Sequence, residues 1–119
     1  IALIPWSPLA RGFLTRTRDA QKETLRSQTD EFANALYQNP ADLDIIDRNA
    51  EVAGKLGMKP AQTALAWVLG KQGITAPIIG ASKLSQLEDA LAAKEMELPA
   101  EDIDYLEEQY TPHPILGHS

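Results

Sequence analysis

Two stretches of the 119-residue sequence combine backbone freedom with polar side chains. One is Trp6-Ser7-Pro8-Leu9-Ala10-Arg11-Gly12, which follows a short apolar run. The other is Ile78-Ile79-Gly80-Ala81-Ser82-Lys83, which leads into a helical pattern. In the second, a glycine turn exposes backbone N–H groups, a helix start favours an anion, and Ser82 and Lys83 add a hydroxyl and a cation. Phosphate binding is the chemistry this combination can do. It is neither a Walker A nor a G-x-G-x-x-G motif, and a helix cap beside a solvated lysine accounts for the same residues.

Other chemistries are poorly supplied. The absence of cysteine excludes disulfides, thiol catalysis and cysteine-ligated zinc or iron–sulfur sites. His113 and His118 lack the i, i+4 spacing of a helical metal pair and read as tail residues, although His113 would line a pocket if the tail folded over it. Glu101, Asp102, Asp104, Glu107 and Glu108 read as a solvated acidic face, and Arg16, Arg18 and Arg26 as solvated cations. A net charge of −6 with no basic block argues against nucleic acid or an anionic membrane as partner. No apolar run approaches the roughly 18 residues of a membrane span, and no signal peptide is visible, so the expected location is cytoplasmic. The first residue is Ile, so the chain is expected to be processed or to lack an N-terminal part.

The elements that must position the two stretches follow from the pattern. Ile1 to Trp6 is apolar throughout, as a strand buried between two layers would be, and Pro5 should end its regular pairing. Gly12 permits a positive φ. Arg16 to Gln38 is polar and reads as a long loop with at most one helical turn. Asn39, Pro40 and Asp42 are helix-start residues; Leu43, Ile46, Ala50, Ala53 and Leu56 form an apolar stripe that Gly57 should end. A second helix is expected from Pro60, with Ala61, Ala64, Leu65, Val68 and Leu69 buried and Gly73 as its stop. Thr75 to Ile79 is a second strand candidate, followed by a Gly80–Ser82 turn. Ser85-x-x-Glu88 fits a capping box for a third helix with Leu84, Leu87 and Leu91 on its apolar face. Pro99 to Tyr110 makes a fourth, with Ile103, Leu106 and Tyr110 on one side.

Strands alternating with helices imply a parallel α/β arrangement. Two strands cannot form a stable sheet alone, so these ask for neighbours. The length fits one domain and falls well short of the roughly 250 residues of a complete (β/α)₈ barrel.

Three segments carry a resemblance. Trp6-Ser7-Pro8-Leu9-Ala10-Arg11-Gly12-Phe13-Leu14-Thr15 resembles the seventh strand and following loop of the aldo-keto reductase superfamily. Ala61-Gln62-Thr63-Ala64-Leu65-Ala66-Trp67-Val68-Leu69 resembles its seventh barrel helix. Pro77-Ile78-Ile79-Gly80-Ala81-Ser82, with Gln86-Leu87-Glu88-Asp89, is similar to the eighth strand and the helix after it. The tail Pro112-His113-Pro114 looks closest to the bacterial YajO-like branch, and the potassium-channel β-subunit branch shares the Trp-Ser-Pro-Leu pattern. The resemblance implies that residues 1–119 are the C-terminal part of a TIM barrel, mostly helical in isolation with two short strands. It implies a parent oxidoreductase that reduces small aldehydes or ketones with NADPH. The family's catalytic Asp, Tyr, Lys and His lie on earlier strands, so no catalytic residue is expected here. By resemblance, Trp6 would stack on the nicotinamide, and Ser7, Leu9 and Arg11 would line the pyrophosphate. Gly80, Ser82 and Lys83 would hold the 2′-phosphate region, with Gln86 and Asp89 at the adenosine. The next position, often Asn in the family, is Ala90. Arg16 and Arg26 would close over the cofactor. The segment alone is expected to self-associate. A non-enzymatic helical interaction module is the alternative.

Overall fold

The computed structural model describes residues 1–21, 31, 36, 37 and 39–114. Five α-helices carry the described part: α1 (Arg18–Gln21), α2 (Pro40–Leu56), α3 (Pro60–Leu69), α4 (Leu84–Ala92) and α5 (Ala100–Glu107). Two 3₁₀ turns, Ala10–Thr15 and Ala93–Glu95, complete it. α2 packs on both α3 and α5, and α3 also packs on α4 and on the two 3₁₀ turns.

Local signals set the limits of α2. Asn39 Oδ1 accepts from the Ala41 N–H at 3.0 Å, and Pro40 loses no hydrogen bond at the first position. At the other end Gly57 turns left-handed, at φ 67°. The Met58 and Gly57 N–H groups then donate to the Ala53 and Gly54 carbonyls at 2.9 and 3.4 Å, a Schellman ending. The core forms where α2, α3 and α5 meet, from Ile46, Val52, Ala53, Ala64, Leu65, Ala66 and Leu106, with Ala93 beside them.

The two expected strands do not form as strands among the described residues. Leu3 pairs with Ile74 and Trp6 with Ile78, both in parallel, as isolated bridges. The spacing explains this: three steps on one side face four on the other, so the ladder slips. The Leu3 carbonyl meets two N–H groups, those of Thr75 and Ala76, at 2.9 and 3.5 Å. Pro5 and Pro77 bring no N–H to either side. Among the described residues, pairing is also one-sided. Leu3 and Pro5 direct their carbonyls to the 74–78 segment, so the alternating groups of Ala2 and Ile4 face an open edge. Ile1, Leu3, Ile4, Trp6 and Ile78 remain exposed.

Other expectations need correction. α3 stops at Leu69 with Gly70 as its cap, and Leu69 is exposed. Gly73, at φ 93°, belongs to the turn beyond. α4 begins at Leu84, which puts Ser85 inside the helix, and neither Ser85 nor Glu88 caps it. Gln86 Oε1 instead accepts from the Ser82 N–H and Oγ at 2.9 and 3.2 Å. The apolar face of α4 is uncovered, with Leu84, Leu87 and Leu91 all exposed. The fourth helix ends before Tyr110, which is exposed. Its acidic face is only partly solvated, because Asp102 is buried at 4% exposure and bound by Lys55 Nζ at 2.8 Å. Of the Arg16–Gln38 loop, α1 is described and most of the remainder, Arg26 included, lies outside the described residues, as does His118.

Asn49 is a buried polar residue that the apolar stripe did not include. It is 3% exposed. Its Nδ2 donates to the Leu14 carbonyl at 3.1 Å and to the Pro60 carbonyl at 3.0 Å. One amide thus joins the end of the first loop, the middle of α2 and the start of α3. Asn49→Ala removes both donors from part-buried carbonyls, and stability should fall by about 2 kcal/mol. Urea unfolding of the two proteins measures this, and an unchanged midpoint would contradict it.

Candidate functional site

The parallel pair decides where the two polar stretches begin. Trp6 bridges to Ile78, so the Ser7–Gly12 loop and the Gly80–Lys83 turn leave from the same end of the paired segments. In parallel α/β structures that end is where ligands bind.

The first loop is tightly folded on itself. Ser7, Ala10 and Arg11 adopt left-handed backbone at φ 52°, 51° and 56°, and Gly12 follows at φ 101°. The Ser7 carbonyl accepts from Ala10 N at 3.0 Å, and Ser7 Oγ accepts from Arg11 N at 3.2 Å. The Leu9 carbonyl takes the N–H groups of Gly12 and Leu14 at 3.0 and 3.2 Å, and Thr15 Oγ1 donates to the Gly12 carbonyl at 2.7 Å. Trp6 is 64% exposed, while Ser7, Leu9 and Arg11 are half-buried. Arg11 also lowers the pKa of Tyr37, but burial dominates and holds that phenol above its ordinary value.

The second turn is open. A side chain at Gly80 would meet no atom within 4 Å. Lys83 is the N-cap of α4, exposed, and its side chain makes no ion pair among the described residues. The nine-residue helix behind it supplies a dipole end. Ser82 and Gln86 satisfy one another as described above, so both are already engaged.

Asp89 is engaged as well. Its Oδ2 lies 2.6 Å from Lys59 Nζ, and its backbone carbonyl accepts from Gln62 Nε2 at 3.3 Å. Gln62, 8% exposed, turns its other end to the Lys59 N–H at 3.0 Å. Neither Lys59 nor Gln62 was singled out from sequence. The available signal was local: glutamine three residues after the cap position, behind Pro60, is the far half of a capping box.

The remaining expectations fall as follows. Arg16 is exposed, and Arg18 pairs with Asp47 at 2.7 Å. His113 Nε2 sits 3.0 Å from Asp42 Oδ1, which docks the tail on the first turn of α2. A separate cavity of about 610 Å³ lies between Pro8, Leu14 and α2, α3 and α5. Glu107 sits on its wall, bonded by Lys71 Nζ and by Trp67 Nε1. The Lys71 hydrogen bond, assisted by Trp67 and opposed by burial, keeps its carboxyl below the usual range. Among the described residues no group of acidic, histidine or cysteine side chains could hold a metal, and no helix is long and apolar enough to cross a membrane.

Known proteins supply the context. The sequence profile of the Aldo/keto reductase family matches residues 1–111. A Schizosaccharomyces pombe protein named as a candidate aryl-alcohol dehydrogenase is 50% identical over 117 residues, covering 98% of this chain and 33% of its own. An aldo-keto reductase of Metarhizium robertsii is 39% identical over 120 residues, with 100% and 32% covered. The versiconal hemiacetal acetate reductase of Aspergillus parasiticus is 41% identical over 118 residues, with 97% and 34% covered. These relatives are fungal and do not support the narrower bacterial YajO-like placement. The chain spans about a third of the length of the curated relatives it matches. With nearly its whole length matched, and with the two loops at one end of a parallel pair, the chain belongs to the aldo/keto reductase family.

Proposed function

We propose that this chain is the C-terminal, NADPH-binding part of an oxidoreductase that reduces small aldehydes or ketones, and that it is inactive by itself. The observation that carries the reading is the Trp6–Ile78 bridge, which starts both polar loops from one end of the paired segments. The residues fit such a cofactor: an exposed ring at Trp6, a loop bonded to itself behind it, an open turn at Gly80 and an exposed cation at Lys83 that forms no ion pair among the described residues.

When bound, NADPH supplies the hydride for the carbonyl carbon. The chain's own residues bind and orient. Trp6 offers a flat apolar face for the nicotinamide. Ser7, Leu9 and Arg11 line the pyrophosphate. Lys83, at the start of α4, meets the 2′-phosphate with a charge-assisted bond, and Gly80 leaves room for it. Ser82 and Gln86 exchange their mutual bonds for bonds to the ligand, and Asp89 stands further along α4 toward the adenosine. The carbonyl oxygen needs an acid, which in this reading comes from outside residues 1–119; His113 lies against Asp42, and Lys71 against Glu107. The proposed setting is the cytoplasm, in keeping with a chain free of disulfides.

Three outcomes test this reading. The purified 119-residue chain should not oxidise NADPH when an aldehyde is present; steady oxidation would refute its inactivity. Lys83→Ala should weaken NADPH binding by roughly tenfold and leave NADH binding nearly unchanged, since only NADPH carries the 2′-phosphate. Paired fluorescence titrations read this. Equal loss for both cofactors assigns Lys83 to the fold, and no change removes the phosphate from this turn. Finally, the exposed apolar residues of the paired segments and of α4 should drive self-association, seen by light scattering as dimers or larger species. A monomer over a wide concentration range would contradict it.

A further inference from the structure

α4 is anchored differently from α2, α3 and α5. Each of those has buried residues, whereas α4 has none. It meets α3 and the Ala93–Glu95 turn, where Ala93 is 1% exposed. This fixes the C-terminal end of the helix. Along its length the attachment is polar. Lys59 Nζ reaches Asp89 Oδ2, Gln62 Nε2 reaches the Asp89 carbonyl, and Gln62 Oε1 takes the Lys59 N–H, at 2.6, 3.3 and 3.0 Å. The three bonds close a ring between the start of α3 and the second turn of α4. Gln62 is buried, so both ends of its amide need partners, and the ring provides them.

We infer that Lys59 is a positioning residue which, through Asp89, fixes the tilt of α4. Ser82 and Lys83 ride on the far end of that helix, some six residues from the ring, where a small tilt becomes a large displacement. The inference rests on the NADPH reading above and names the device that sets the phosphate end of that site. Lys59 and Asp89 side chains are 63% and 30% exposed, so their pair contributes little to overall stability. Its loss should leave the chain folded and loosen only α4.

The test uses the 119-residue chain and adenosine 2′,5′-bisphosphate as probe, with affinity read by titration calorimetry and folding by circular dichroism. Lys59→Met should weaken binding by about three- to tenfold, and Lys59→Arg, which keeps the charge, should stay within about twofold of the parent. In an Asp89→Asn background, Lys59→Met should cost nothing further, because Lys59 acts through the carboxylate. An equal loss in both backgrounds makes Lys59 a direct phosphate contact and overturns the inference, as does no loss in either. If Lys59→Met unfolds, Lys59→Arg decides alone: binding lost with the fold intact overturns the inference. A parent chain that binds no probe overturns the cofactor reading itself, and this inference with it.

Discussion

The described structure depends on one buried amide. Asn49 sits where the first loop, α2 and α3 converge, and its two donors satisfy carbonyls from both neighbours. A buried carbonyl without a donor costs more than a hydrogen bond gains, so the three pieces have one low-energy arrangement. Leu14 is fixed by this contact, and the Ser7–Thr15 loop behind it is fixed in turn. Pro60 is fixed likewise, which sets the direction of α3 and the place from which Lys59 and Gln62 reach α4.

From that point outward, the means of holding the chain change. Near Asn49 the helices are held by burial of Ile46, Val52, Ala53, Leu65 and Leu106. At the rim they are held by ion pairs: Lys55 with Asp102, Lys71 with Glu107, Arg48 with Glu108, Lys59 with Asp89. The last of these carries α4, whose leucines find no cover. The Gly80–Lys83 turn is therefore carried on the polar periphery, while the Ser7–Thr15 loop is tied to the buried centre through Leu14.

Legibility in the sequence follows the range of each interaction. The Asn39–Pro40 start and the Gly57 stop were readable because the partners lie within four or five residues of each other. The strands were misjudged because a strand needs neighbours at a distance, and here Leu3 and Trp6 find only isolated partners in a slipped register. Asn49 escaped because a stripe chosen by hydrophobicity passes over an amide, although its place between Ile46 and Ala53 marks the buried face. Asp102 was read as solvated because nothing local announces Lys55, which reaches it from another helix. In the candidate site, the two glycine turns and the cation were visible as residue types. The ring of Lys59, Gln62 and Asp89 was not, since it joins positions some thirty residues apart.

The left-handed backbone of the first loop has a thermodynamic corollary. Ser7, Ala10 and Arg11 each occupy a conformation that costs an L-residue about 1–2 kcal/mol. Packing elsewhere offsets this during folding, and the N–H groups of Ala10, Arg11, Gly12 and Leu14 are turned inward onto Ser7 and Leu9. A ligand that docks against a loop closed on itself in this way need not order it first, so the entropic penalty that weakens binding to mobile loops is reduced. The loop's shape is thus a property of its own internal hydrogen bonds, set before any ligand arrives.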